Sequence, residues 1–442
     1  MIPGPQKAMK LKISLLTLLL VLVFGESVRA AETLSVDIFG PGQTRVNILV
    51  LPARGVNGQA ATTLARSFGE YVQGDIGFLP FLRLAFLNEV LGGDPSKGLK
   101  ADDIDFKPLQ LSRIDLVMTI GGAGQEIEAR VYETFTRKLL VGKAYSQVDQ
   151  GGVAHVADRF CAQLMRVLTG KSGFFDSTLA FSKKVGGGKE LFTASALGRE
   201  LQQITHDGGY NVSPSWAKDG RKLAYTNISD LGHRMGLWDR GQRVSRLRKF
   251  PGNIAISPTF TPDGRIAVAL SLNGHPDIYL LDADFKISQP LAPSWAISVS
   301  PSFDLSGRKM VFCSGRLGGP QIFLLNRDTG NVERVTYEGS YNTRPSLSPD
   351  GRFVVFARLV NGGHRIFIRD LVANQERQIS FGPGSDEDPS FDPDGYFVSF
   401  SSTRSGGSKI YVTTRYGDAA KLIPTGPGDA MAPAWGVATA LN

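Results

Sequence analysis

Most residues of this chain that could carry out catalysis lack the neighbours that their chemistry requires. A serine nucleophile on a strand–turn–helix elbow needs the pattern Gly-x-Ser-x-Gly, and no serine here has glycine at both positions two residues away. Gly170-Lys171-Ser172 resembles the end of a phosphate-binding loop, but Met165 stands where such a loop requires its first glycine. We therefore predict no catalytic residue and no enzymatic activity.

The histidines and acidic residues are weak candidates for metal ligands. The five histidines never approach the spacing of a zinc site: His155, His206, His233, His275 and His364. Asp392-Pro393-Asp394-Gly395, with Asp386-Glu387-Asp388 nearby, could supply carboxylates to calcium. However, an Asp-Gly pair recurs at equivalent places in the chain, so turn formation explains these aspartates equally well without calcium. We predict no metal and no cofactor.

A tripeptide of the form Pro-Ser-aromatic, or a close variant, returns six times in the C-terminal half at intervals of 43 or 44 residues. Its copies are Pro214-Ser215-Trp216, Pro258-Thr259-Phe260, Pro301-Ser302-Phe303, Pro345-Ser346-Leu347, Pro389-Ser390-Phe391 and Pro433-Ala434-Trp435. A fixed period in this range indicates a repeat architecture, and four strands per repeat fit a β-propeller blade. The pattern predicts an all-β, six-bladed propeller.

The first five tripeptides each run into a tight turn and then into a β-rich segment. In the fourth unit, for example, Pro349-Asp350-Gly351 precedes Phe353-Val354-Val355-Phe356. The first of these segments favours a tight turn, because proline presets φ and glycine accepts positive φ. The sixth unit is split, because its first strand is the last tripeptide. Its other three strands are expected near Leu179-Ala180-Phe181, Glu190-Leu191-Phe192 and Leu201–Thr205. The C-terminal strand would then close the ring and cover a sheet edge.

Residues 31–170 lack this period and mix strands with helices, which predicts a small α/β domain before a propeller of residues 171–442. Apolar strands are expected at Arg45–Leu51 and Arg113–Ile120, and a hairpin at Gln125–Phe135 and Lys138–Ser146. Helices are expected at about 60–73 and at Val153–Leu168, which has an apolar stripe. Cys161 and Cys313 fall in different predicted domains and are expected to be buried free thiols.

Residues 1–30 have the features of a secretory signal: a basic start, the apolar stretch Ile13–Phe24 and a small-residue cleavage site, Val28-Arg29-Ala30. The apolar stretch is short for a membrane span, so we expect an exported protein without one. Residues 1–30 hold four cations and one anion, which leaves +5 of the formal charge of +8 for the remainder. Such a mild basic bias does not predict nucleic-acid binding.

What remains is a binding surface at the propeller mouth, the end of the ring where the loops leading into the innermost strands meet. Tyrosine, asparagine and arginine, which are common at protein interfaces, occur in these loops. The partner-contacting residues predicted there are Tyr210, Asn211, Asn253, Tyr341, Asn342, Thr343, Arg344, Asp386 and Glu387.

With these features the sequence resembles the TolB family of the Tol–Pal envelope system. The resemblance is carried by the tripeptide–turn units, by Glu32–Ile38 and Arg45–Pro52, and by the stretch from Ala154 to Phe174. It implies a non-enzymatic periplasmic adaptor, a monomer within a multiprotein complex, that maintains outer-membrane integrity during cell division. Its propeller mouth would bind the peptidoglycan-associated lipoprotein Pal. Its N-terminal segment would bind TolA through Glu32, Thr33, Leu34, Ser35, Val36, Asp37 and Ile38.

Two departures from the family pattern stand out. The loop before the second tripeptide, Phe250–Ala255, lacks the histidine that helps grip Pal in the family, and the fourth tripeptide ends in Leu347. Two other functions stay open: a secreted propeller that binds or processes a small molecule or peptide in its channel, and an unusual exported hydrolase. A hydrolase would bring histidine, serine and carboxylates together at one mouth, where the predicted side chains are instead mainly Asn, Tyr, Thr and Arg.

Overall fold

The structure is a computed structural model that describes residues 45–55 and 60–437. The predicted signal at residues 1–30 and the predicted TolA-binding segment Glu32–Ile38 lie outside the described residues. Among the residues that are described, no helix is both long enough and apolar enough to cross a bilayer.

A mixed sheet with flanking helices forms the N-terminal part. Its strands are β1 (Val46–Val50), β2 (Arg54–Gly55), β3 (Leu82–Ala85), β4 (Leu116–Gly122), β5 (Ile127–Glu133) and β6 (Leu139–Tyr145). β1 lies between β3 and β4 and is parallel to both, whereas β4, β5 and β6 are antiparallel neighbours. The helices are α1 (Thr63–Ile76), α2 (Phe106–Leu111) and α3 (Val153–Thr169), with short 3₁₀ turns at Leu87–Glu89 and Ala101–Asp103.

Local sequence signals explain the two long helices. The Thr62 hydroxyl accepts a hydrogen bond from the Ala65 amide at 3.1 Å and caps α1, and Gly170, at φ 74°, ends α3 in the left-handed conformation. The helices pack against each other through Phe68 and Phe160, whose ring centroids are 5.8 Å apart. The strands and helices predicted for this part are thereby confirmed to within a few residues. The elements β2, β3 and α2 were not predicted.

Twenty-four further strands form six groups of four, and neighbouring strands within a group are antiparallel. A short parallel pairing, Tyr210 with Lys189, joins two of these groups into one eight-stranded sheet, whereas the other four groups are separate sheets. The first three complete groups are β10 (Tyr210–Trp216), β11 (Lys222–Ser229), β12 (Gly232–Asp239), β13 (Val244–Arg248); β14 (Ala255–Phe260), β15 (Ile266–Ser271), β16 (Pro276–Leu281), β17 (Ile287–Pro290); and β18 (Ser298–Phe303), β19 (Lys309–Ser314), β20 (Gln321–Asn326), β21 (Val332–Arg334). The next two are β22 (Asn342–Leu347), β23 (Phe353–Val360), β24 (Gly363–Asp370), β25 (Gln375–Gln378); and β26 (Asp386–Phe391), β27 (Phe397–Ser402), β28 (Lys409–Thr414), β29 (Lys421–Leu422).

The remaining group joins strands from both ends of this region. β7 (Ser177–Val185), β8 (Gly188–Ser195) and β9 (Gln202–Gln203) come first in the chain, and the last described strand, β30 (Ala430–Val437), pairs antiparallel with β7. In this register Trp435 lies opposite Leu179 and Ala434 opposite Ala180. The C-terminal tripeptide therefore pairs with the predicted strand.

The tripeptide has a structural role at its second and third positions. It lies in the first strand of each group, here called the inner strand: β10, β14, β18, β22, β26 and β30. The serine hydroxyl accepts a hydrogen bond from a backbone amide of the next inner strand, as in Ser215 from Phe260 (3.3 Å) and Ser302 from Leu347 (3.0 Å). The third residue packs in the apolar cores between successive sheets. Stacked sheets with such cores make a propeller-like, all-β fold with few helices.

The segment that follows α3 contacts the last strands of the propeller-like part. The Gly173 amide donates to Asp394 Oδ2 at 2.6 Å, and the Phe174 ring lies 4.2 Å from that of Phe397 and 5.6 Å from that of Trp435. Cys161 and Cys313 are free and buried, as predicted.

Candidate functional site

The six inner strands line a cavity of about 490 Å³. Each strand contributes its tripeptide and the residue that precedes it. Most of those preceding residues and central tripeptide residues carry hydroxyl groups, which gives the wall a polar character.

The residue before each of the six prolines has a left-handed backbone conformation. These residues, with φ between 51° and 55°, are Ser213, Ser257, Ser300, Arg344, Asp388 and Ala432. At the same places the register between the inner strand and its neighbour shifts, which marks a β-bulge. Positive φ is uncommon for residues other than glycine, and repeated strain of this kind clusters at functional sites. The bulges therefore indicate that the end of the cavity lined by these six residues is a candidate functional site.

Arg344 reaches across this end of the cavity. Its Nε lies 3.3 Å from Asp388 Oδ1 on the next inner strand, and its Nη1 donates to Ser213 Oγ at 3.3 Å. Ser213 lies on β10, which does not neighbour β22 in any sheet. The half-exposed guanidinium thus connects three inner strands and presents a positive charge at the opening.

The nine predicted mouth residues fall into two sets. Five have exposed side chains and one is half-buried: Tyr210, Asn253, Tyr341, Arg344, Glu387 and, half-buried, Thr343. The side chains of Asn211, Asn342 and Asp386 are completely buried. Burial leaves these three no surface to offer a partner, so the structure differs here from the sequence-based expectation of direct contact.

Two of the three buried residues, Asn211 and Asn342, connect neighbouring groups of strands beneath the surface, and the third bonds within its own group. All three occupy the same position in their inner strands, three residues before the proline. Asn211 Nδ2 donates to Glu190 Oε2 at 3.0 Å, and Asn342 Nδ2 donates to Gln321 Oε1 at 2.9 Å; both acceptors lie in the preceding group. Asp386 accepts from Arg404 Nη2 at 2.9 Å. Buried, hydrogen-bonded amides such as those of Asn211 and Asn342 rigidify the loops above them.

Tyr341, His364 and Glu387 form one continuous surface across two groups of strands. The Tyr341 and His364 ring centroids are 5.9 Å apart, and His364 Nδ1 lies 3.3 Å from Glu387 Oε1. No sequence signal marked His364 as part of this surface. Trp295, which is 74% exposed in the loop before β18, was also not predicted as a contact residue. A tryptophan in a loop that leads to the mouth was the available signal for the latter.

The acidic segment considered for calcium is occupied with backbone hydrogen bonds. Asp392 Oδ1 accepts from the amides of Tyr396 (2.8 Å) and Phe397 (2.9 Å), and Asp394 Oδ2 accepts from Gly173. Burial, followed by the nearby charge of Asp394, raises the pKa of Asp392 to about 7. Within residues 45–55 and 60–437, no three His, Cys, Asp or Glu side chains come together in a way that could hold a metal ion.

A second group of charged residues lies where α1 and α3 meet the turn between β8 and β9. Arg199 on that turn donates to buried Asp75 of α1 and Asp158 of α3, and its guanidinium lies 4.8 Å from the Tyr71 ring. Burial, and then the charge of Asp75, raise the pKa of Asp158 to about 8, and burial also raises the pKa of Asp75. These three residues, Arg199, Asp75 and Asp158, are called the arginine clamp below.

We expect the clamp to make stability fall as pH rises toward 8. The folded chain holds a proton on Asp158 up to pH about 8, whereas the unfolded chain releases it near 3.8. This contribution is complete below about pH 4 and is lost through pH 8, with a slope of at most about 1.4 kcal/mol per pH unit. Urea unfolding at pH 5 to 8.5 should show a smaller decline for Asp158→Asn than for the parent chain. Equal declines would contradict this assignment of the proton.

Comparison with known proteins agrees with the fold. Residues 165–439 match the family described as TolB beta propeller domain. The Tol-Pal system protein TolB of Nitratidesulfovibrio vulgaris is 45% identical over 309 residues, which cover 68% of this chain and 70% of that protein. A protein TolB homolog of Chlorobium chlorochromatii is 29% identical over 321 residues, or 72% of each chain.

A solved structure shares the fold over almost the whole length. TolB from Acinetobacter baumannii superposes with a TM-score of 0.74 at 20% sequence identity, over 90% of this chain and 97% of that one. The match of the family to most of the chain, and the 45% identity over two thirds of it, confirm the resemblance that the repeats indicated. This chain belongs to the TolB family of the Tol-Pal system.

Proposed function

We propose that this chain is a non-enzymatic periplasmic adaptor of the Tol-Pal envelope system that maintains outer-membrane integrity during cell division. Its propeller mouth binds the lipoprotein Pal, and its segment Glu32–Ile38 binds TolA. Family membership supports the system, since a relative at 45% identity is named Tol-Pal system protein TolB. The observation that carries the mouth assignment is the surface of exposed Tyr341 and Glu387 and half-buried His364, together with Arg344 and the repeated bulges.

The proposed scaffold is a closed ring of six blades, residues 171–442, preceded by an α/β domain of residues 31–170. The pairing of β30 with β7 supports closure, because it completes the sixth four-stranded group with a strand from the chain's other end. Apolar cores between successive sheets support the count. Such a ring offers a rigid rim, and a rigid rim loses little conformational entropy when a partner binds.

Within this rim, the exposed side chains make the contacts and the buried ones position them. Tyr210, Asn253, Tyr341, Arg344 and Glu387 are assigned to contact with Pal, with half-buried Thr343 beside them. Asn211, Asn342 and Asp386 are reassigned to support, since each is buried and hydrogen-bonded. Tyrosine and arginine near the centre of an interface commonly dominate its energy.

The segment Glu32–Ile38 is proposed to bind TolA as an extended strand. Its residues alternate weakly in polarity, which suits addition to the edge of a partner's sheet through backbone hydrogen bonds. Two separate binding regions would let one chain link two partners.

The double variant Tyr341→Ala with Arg344→Ala should weaken capture of Pal at least about tenfold, since truncating central aromatic and arginine contacts often costs about 2 kcal/mol or more. The measurement is titration with purified Pal at constant ionic strength. The matched control is Leu305→Ala with Arg308→Ala, because these exposed side chains lie beyond the opposite end of inner strand β18. Undiminished affinity of the mouth variant, with an unchanged melting temperature, would refute the mouth assignment.

Deleting residues 32–38 should abolish capture of TolA and leave Pal capture by the mouth unchanged. The same purified preparation serves for both partners, so that a folding defect would lower both signals. Retention of TolA, or loss of both partners from a folded chain, would contradict the division of labour.

A further inference from the structure

The outer edge of the β10–β13 group carries an unusual concentration of positive charge. Residues 240–249 contain five cations and no acid: Arg240, Arg243, Arg246, Arg248 and Lys249. After Asp239 the next acidic residue in the chain is Asp263. Four of these five side chains are exposed, and that of Arg240 is half-buried. This cluster lies outside the mouth and plays no part in the proposed binding of Pal.

The charges stand on a strand that has a free edge. β13 pairs with β12 and ends its sheet, so its other side has no described strand beside it. Its side chains alternate: Val244, Arg246 and Arg248 are exposed, whereas Ser245 and Leu247 are half-buried. Arginines two residues apart on one face of a strand are separated by about 7 Å, which matches alternate residues of an added strand.

β13 differs from the outer strands of the other groups. Those are two to four residues long, and none has more than one cation: β9, β17, β21, β25 and β29. β13 has five residues, two of them arginine, and arginine or lysine flanks it on both sides. Protection of a sheet edge from aggregation explains one or two charges, but it does not require the longest outer strand to carry the most.

The guanidinium groups are held without a carboxylate. Within the described residues, no ion pair involves Arg243, Arg246, Arg248 or Lys249. The Arg248 guanidinium carbon lies 5.9 Å from the ring centroids of both Phe250 and Phe285, which orients it and leaves its hydrogen-bond donors available.

We propose that β13 is a docking site for an acidic, extended segment of a partner protein, which adds to the sheet as a further strand. The partner's backbone pairs with the free edge, and carboxylates at alternate positions receive Arg246 and Arg248. Charge complementarity selects this occupant, since like charges repel a second copy of β13 itself. A membrane surface or a polyanion would use the charge but not the unpaired backbone groups.

The test uses the full exported chain and synthetic peptides. A seven-residue peptide with glutamate and valine alternating should bind, and binding should weaken as salt rises. Arg246→Glu with Arg248→Glu should weaken it about tenfold or more, since two attractive pairs become repulsive. Lys138→Glu with Lys143→Glu, the same charge change on exposed positions at the edge strand β6, should leave binding nearly unchanged.

Further probes separate strand addition from simple charge attraction. A peptide with the same side chains but methylated alternate backbone nitrogens should lose most of its affinity, because it cannot complete the backbone pairing. Equal binding of the methylated peptide would overturn the proposal. So would tighter binding of phosphatidylglycerol vesicles or inorganic polyphosphate than of the peptide, or no binding of the peptide. Tyr341→Ala with Arg344→Ala should bind the peptide normally, so failure of the proposed Pal site would be distinguishable.

Discussion

Replacing Arg199 by alanine is expected to destabilise the folded chain by about 3 kcal/mol or more. The arginine is the cation of the clamp, and its removal leaves the carboxylates of Asp75 and Asp158 facing each other without it. Removing one partner of a buried ion pair commonly costs about 3 to 5 kcal/mol, because the remaining charge is uncompensated. Protonation of the two acids, whose pKa values burial already raises, will relieve part of this cost at low pH.

Urea unfolding at pH 8 measures this effect against a matched control. Arg166→Ala removes a half-exposed arginine of α3 that pairs with Asp176, and such a surface pair is expected to contribute at most about 1 kcal/mol. Adding Asp158→Asn to Arg199→Ala should restore part of the loss, since it removes one of the unpaired charges. If Arg199→Ala were no more destabilising than Arg166→Ala, the clamp would not stabilise the contact between the helices and the β8–β9 turn.

The clamp also shows what the sequence could not predict. Its three residues are separated by 41 to 124 positions along the chain, and none stands in a motif. An Asp in a helix is ordinarily a surface residue. Only the packing of α1 and α3 against the β8–β9 turn brings these charges together, and that packing depends on contacts far apart in sequence.

The strands, by contrast, could be predicted because their cause is local and repeated. Each tripeptide has a proline next to the bulge, and most also have a hydroxyl that bonds to the next inner strand and an aromatic ring for the core. Because there are six copies at a constant interval, even a divergent copy such as Pro345-Ser346-Leu347 can be recognised from its position in the chain. Short elements without such repetition, such as β3 and α2, were missed because four to six residues give too little periodicity.

The residues predicted for the mouth differ in burial, and this difference could not be predicted from the sequence. Polar residues in the loops before the inner strands have the same residue types whether their side chains are exposed or buried. Asn211 and Tyr210 are neighbours in the chain, yet one side chain is buried and the other is 47% exposed. The left-handed bulges were equally hidden, since serine, arginine, aspartate and alanine at these positions do not signal positive φ.

Gly436→Ala is expected to disrupt the contact between β30 and the β10–β13 group. A Cβ at this position would lie 2.3 Å from Cγ of the Trp216 ring, far inside van der Waals contact. The ring cannot move aside easily, because it is buried, packs edge-on against Trp238 at 6.1 Å and carries the Arg240 guanidinium at 4.6 Å. Overpacking of this kind typically costs about 1 to 3 kcal/mol. We expect a loss near the upper end, with lowered midpoints in thermal and urea unfolding.

The control is Gly187→Ala, in the β7–β8 turn, where an added Cβ would meet nothing within 4 Å and the backbone φ is not positive. A second variant identifies the clash itself: Trp216→Leu combined with Gly436→Ala should be less destabilised than the sum of the single changes, because the smaller side chain leaves room for the methyl group. Additive losses would place the effect of Gly436→Ala elsewhere. Because β30 supplies the only described strand that pairs with β7 on that side, coupling between Gly436 and Trp216 would show that the C-terminal strand holds the first and last units of the chain together.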